Sequence, residues 1–112
     1  MSDPTPPETL LPAREPQRLP THPGELMREI IVEHLGLDLA EAAQRMGLDV
    51  GTLQRVTLGL ERVSAEIALR FTRLAGGEPS LFLAMQDARD LWQEKRRLAA
   101  SLARITPAKA EA

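Results

Sequence analysis

Two helix-start signals stand eleven residues apart, Asp38 and Asp49, with Gly47 between them. An aspartate before a helix accepts a hydrogen bond from a first-turn N–H that has no intrahelical partner. Glu41, three residues after Asp38, adds a capping-box spacing. Leu39, Ala42, Ala43 and Met46 share one face of the first helix so defined, and Leu53 and Val56 share one face of the second. Two helices that cross steeply at a short turn need a small residue where their backbones approach, and Ala43 supplies it. Gly47 can take the positive φ that redirects the chain. The stretch Leu39–Val56 therefore predicts a helix-turn-helix.

The flanking sequence predicts three more helices. The first opens at Thr21-His22-Pro23-Gly24-Glu25, where Pro23 suits the first helical position. Its stripe is Leu26, Met27, Ile30, Ile31, His34 and Leu35, closed by Gly36. The fourth is capped by Ser64 and buries Ile67, Ala68, Phe71, Leu74 and Ala75 before Gly76-Gly77. The fifth starts near Pro79-Ser80 and extends to Ile105, with Leu81, Met85, Ala88, Leu91, Trp92, Leu98, Leu102 and Ile105 as its stripe. Its first half is expected to complete the core. Leu91, Leu98 and Ile105 recur every seven residues, a spacing that suits a dimer or partner contact through Leu91, Trp92, Leu98, Leu102 and Ile105, or equally a solvated extension. No strand-like alternation competes, so the fold class is all-α.

Six of the nine prolines lie in residues 1–20, which predicts a disordered Pro-rich arm there. The domain itself is expected over 21–105, with a flexible tail over 106–112. Leu10-Leu11 in the arm could order on a partner. Charge is uneven: residues 22–93 carry seven arginines against eleven acids, and residues 94–112 carry five bases against two. An acidic body argues against bulk non-specific binding to nucleic acid, so any DNA contact must come from a local group of arginines.

Other function classes find little support. The chain has no cysteine, and its two histidines, His22 and His34, are twelve residues apart, so no metal site is expected. No nucleophile–base pairing or phosphate-binding glycine loop emerges, and Gly76-Gly77 reads as a turn. The expectation is a non-enzyme without cofactor or small-molecule ligand, with no membrane association and a cytoplasmic location.

Three blocks in order resemble HigA-type antitoxins, a branch of the Xre/Cro (lambda-repressor-like) helix-turn-helix family. They are Arg18 to Glu29, Val63 to Arg70, and Phe82-Leu83-Ala84-Met85-Gln86 through Asp90-Leu91-Trp92. The resemblance implies a five-helix domain, homodimerisation, repression of its own operon through double-stranded operator DNA, and neutralisation of a HigB-like ribonuclease toxin. The chain departs from that family where DNA would lie. Leu39 replaces a polar residue at the start of the second helix, Asp49-Val50-Gly51 replaces Ser, Arg and Gln at the start of the third, and Leu58 stands where Asn is common. Gly51 also weakens the helix start by about 1 kcal/mol.

The residues left to read bases are Thr52, Gln54 and Arg55, with Val50 for a thymine methyl and Thr57 at the edge. Asp49 caps this helix, and Arg45 and Arg62 are candidates for the phosphate backbone. Arg55 has a second reading, as a surface residue paired with Glu61. Two functional alternatives stay open: a stand-alone Xre-type repressor, and a protein-interaction module that has lost specific DNA binding.

Overall fold

The computed structural model describes residues 18–108. Most of the proposed arm, with Leu10-Leu11, and the last four residues lie outside the described residues. Helix α1, Pro23–Glu29, runs into a π-helical turn, Ile30–His34. It is followed by α2 (Leu39–Met46), α3 (Val50–Thr57), α4 (Ala65–Ala75), α5 (Pro79–Arg97) and the short α6 (Ala99–Ala103). No helix among the described residues is long and apolar enough to cross a membrane.

The helix starts follow the local signals. Asp38 Oδ1 accepts from Glu41 N–H at 2.8 Å, Asp49 Oδ2 from Thr52 N–H at 3.1 Å, and Ser64 Oγ from Ile67 N–H at 3.2 Å. The second half of the capping box does not form: the Glu41 carboxylate accepts from Arg45 instead of reaching back to its cap. Gly47 sits at φ 67°, ψ 33°, and Leu48 N–H bonds back to the Ala43 carbonyl at 2.9 Å, closing α2 as the turn chemistry requires.

The core joins α1, α3, α4 and α5. Met27, Ile31, Leu53, Val56, Val63 and Phe71 are fully buried, and Phe82 meets Phe71 edge-on at 5.2 Å between ring centroids. Ala42 and Ala43 let α2 approach closely, and both are buried. Two parts of the expected core are corrected. His34 and Leu35 are exposed because the chain widens into a π turn, in which Leu35 N–H bonds to the Ile30 carbonyl at 2.9 Å. The extra residue per turn rotates them off the face that carries Met27 and Ile31. On α5 the buried face is Phe82 and Gln86, whereas Leu81, Ala88 and Leu91 point to solvent.

The fifth helix also ends sooner than expected. At Leu98 the backbone leaves helical values (φ −97°, ψ 6°) before α6 resumes. No residue beyond Gln86 on α5, and none on α6, is buried, so no core packing holds the extension to one straight axis.

The tightest backbone contact sets α1 against the end of α3. A Cβ built on Gly24 would stand 1.9 Å from the Val56 carbonyl oxygen, an impossible approach between rigid backbones. Replacing Gly24 must push the two helices apart and open the contact between Met27, Leu53 and Val56. Gly24→Ala is expected to cost about 3 kcal/mol or more of unfolding free energy, read as a lowered denaturation midpoint in urea.

Candidate nucleic-acid interface

Helix α3 turns its apolar face inward through Leu53 and Val56 and leaves Val50, Gln54 and Arg55 on the surface. These lie in its first turn and on the turn that follows, around free N–H groups at a helix N-terminus. Asp49 is spent as the cap, holding Thr52 N–H. Thr52 is half-buried, and its hydroxyl accepts from Arg55 Nη2 at 3.2 Å. Arg55 Nε donates to Glu61 Oε1 at 2.9 Å, so the surface pairing expected for this arginine forms. Its side chain remains 53% exposed.

Three candidates do not join that surface. Thr57 is 4% exposed, and its hydroxyl donates to the Gln54 carbonyl at 2.9 Å, which corrects its assignment to the reading edge. In place of a surface role it secures the last turn of α3. Arg45 lies on α2 in an exposed i,i+4 pair with Glu41, an interaction worth a few tenths of a kcal/mol at most and therefore readily exchanged. Arg62 follows α3 and turns toward α5, where Nε donates to Asp90 Oδ2 at 3.0 Å.

The loop between α3 and α4 is held from below by residues that periodicity did not mark. Gln86 Oε1 accepts from Val63 N–H at 2.8 Å, and Gln86 Nε2 donates to Asp90 Oδ1 at 3.0 Å. Asp90 thus takes bonds from Gln86 and Arg62. Burial opposes its charge, but those two donors outweigh burial and hold its carboxyl below the usual carboxylate range. Arg70 secures the other side of the motif: Nη1 donates to the Met46 carbonyl at 2.9 Å, satisfying a terminal carbonyl of α2. Arg89 Nη1 donates to the Pro20 carbonyl at 2.7 Å and ties the approach to α1 onto α5.

His22 links these parts. It is the N-cap of α1, with Nδ1 accepting from Gly24 N–H at 2.9 Å, as its place at the helix start suggested. Its ring lies next to Gly59, whose φ of 76° turns the chain out of α3. Burial pushes its pKa below 6.5 and nearby Arg89 adds to this, while the Glu61 backbone, Glu25 and Asp90 pull the other way.

The residues proposed for dimer or partner contact stay on the outside of α5 and α6. Leu91 and Ile105 are exposed, as is Leu102, while Leu98 is half-buried at the helix break. Trp92 is half-buried under the Arg96 guanidinium, 3.5 Å from the ring centroid.

Two capped helices around a left-handed glycine turn, the second presenting Val50, Gln54 and Arg55 on its outer face, define a helix-turn-helix protein. No family model matches the chain. Virulence-associated protein I of Dichelobacter nodosus is 30% identical to it over 81 residues, 72% of this chain and 75% of that one. Antitoxin HigA-1 of Vibrio cholerae is 27% identical over 84 residues, covering 75% and 79% of the two. The solved Pseudomonas aeruginosa antitoxin HigA with its higBA promoter shares the fold, with a TM-score of 0.73 at 20% identity over 80% of this chain and 99% of that one. The chain belongs to the HigA-type antitoxins of the Xre/Cro family.

The His22 environment gives a pH dependence with a definite sign. The native ring stays neutral below the pH at which the unfolded chain takes up its proton, so the unfolded state binds more protons there. Stability is complete well above pH 6.5 and falls as pH drops through 6.5 toward the lowered native value. Urea unfolding between pH 7.5 and 5.5 should show a loss of up to about 1.4 kcal/mol per pH unit. His22→Asn, which keeps a side-chain cap but cannot titrate, should flatten that dependence.

Proposed function

We propose that this protein is a DNA-binding antitoxin and autorepressor that reads its own operator with α3 and sequesters a ribonuclease toxin by direct binding. As a member of its family it is a regulator, not an enzyme. The observation that carries the DNA reading is the exposed face of α3 over its first two turns, where Val50, Gln54 and Arg55 stand on a helix packed through Leu53 and Val56. Glutamine can bond adenine, arginine can bond guanine, and a valine methyl suits thymine. Related folds have been solved with DNA, among them Pseudomonas aeruginosa PA4674 in complex with its operator. A homodimer would place two such helices in successive major grooves of a palindrome.

Phosphate contacts fall to the N–H groups at the start of α2 and to Arg45, whose pairing with Glu41 is weak enough to exchange. Arg62 serves better as the strut that fixes the loop after α3 to Asp90. Leu91, Trp92, Leu102 and Ile105 form the surface we assign to a second copy or the toxin, since α5 and α6 extend it beyond the packed domain.

Arg55→Ala should weaken binding to the native promoter by about 1–3 kcal/mol while the unfolding curve stays in place. Fluorescence anisotropy with promoter and random duplexes reads the first, and circular dichroism the second. Unchanged affinity would remove Arg55 from the interface. The toxin half is tested separately: the product of the adjoining open reading frame should co-purify with this protein and lose its ribonuclease activity in the complex.

A further inference from the structure

We propose that Glu61, outside the helix-turn-helix itself, positions Arg55 for guanine and trades general DNA affinity for sequence discrimination. The inference rests on the operator-binding reading above. Arg55 is gripped at two points: Nε donates to Glu61 Oε1 at 2.9 Å and Nη2 to Thr52 Oγ1 at 3.2 Å. The grip draws the guanidinium back along α3 toward its first turn. There Nη1 would lie 3.4 Å from a Cβ placed on Gly51, and Asp49 Oδ2 would lie 3.0 Å from it. A glycine that weakens the helix start thus leaves the space the guanidinium uses.

Of the five guanidinium N–H groups, two are engaged. The three that remain are all on Nη1 and Nη2, which is the pair an end-on fork uses for guanine O6 and N7. The backbone beside Glu61 is itself fixed, since the adjacent Leu60 N–H bonds to the Arg55 carbonyl at 2.8 Å. An arginine so held reaches the base with less freedom left to lose. The cost is a carboxylate, 38% exposed, facing a polyanion, which disfavours DNA of every sequence.

These two effects have opposite signatures in one experiment. The full-length protein, Glu61→Ala and Glu61→Gln are titrated against the native promoter, promoters substituted one base pair at a time, and random DNA. Glu61→Ala should bind random DNA as tightly as the parent or more so, yet lose about tenfold in the promoter-to-random ratio. The loss should trace to one position per half-site. Glu61→Gln, whose amide oxygen still accepts from Nε, should keep most of the ratio, and adding Glu61→Ala to Arg55→Ala should change it no further. A parent that discriminates while Glu61→Ala discriminates equally well overturns this inference alone. Equal loss in Glu61→Ala and Glu61→Gln also overturns it, because charge and not geometry would then be responsible. A parent that binds promoter and random DNA alike overturns both this inference and the operator reading.

Discussion

Helix α3 can face outward only because something behind it does not move, and that support is the contact between the start of α1 and the end of α3. Gly24 brings one backbone against the Val56 carbonyl, closer than any side chain permits. His22 caps α1 beside it and lies next to Gly59, so the same residue starts one helix and sits against the loop that leaves another. Gln86 and Asp90 hold that loop from α5 through Val63 and Arg62. Leu53 and Val56, both fully buried, contribute apolar burial to the contact between α1 and α3. The polar contacts add register, since each buried donor or acceptor is satisfied in only one arrangement of the helices.

This support bears on an unusual surface. Around α3 the chain presents Leu58 and Leu60 at 68% and 73% exposure, and its candidate arginines are all paired with acids. Such pairs contribute little to stability at the surface and dissociate readily. They lower the positive potential that would draw any DNA, and leave discrimination to a small number of directed contacts. An acidic body with a few held arginines is suited to finding one site among many rather than to coating a duplex.

The helices were legible because their starts and turns are signalled locally. Asp38, Asp49, Ser64 and Gly47 act on neighbours three to five residues away, within reach of sequence spacing. The misreadings share a different origin. The π turn after Ile30 changes the period on which a stripe depends, so His34 and Leu35 fell on the wrong face. Gln86 was hidden as part of the inner face of α5 because a polar side chain enters the core only when a partner such as Val63 N–H awaits it, 23 residues away. Thr57 read as surface until its hydroxyl found the Gln54 carbonyl. Arg70 on the Met46 carbonyl and Arg62 on Asp90 join residues 24 and 28 apart, and no periodicity marks such pairs. At the candidate interface, the sequence nominates Thr52, Gln54, Arg55 and Val50, and the fold adds the hydrogen bond that ties Arg55 to Thr52.

The most direct test of the account is a hydroxyl-radical footprint of the full-length protein on its own promoter, with random DNA in excess as competitor. A dimer reading a palindrome with α3 should protect two dyad-related patches centred one helical turn apart or a multiple of it, about 34–36 Å per turn. Protection that is absent, or spread without such spacing and erased by the competitor, would contradict it and leave the fold as a platform for protein contacts alone.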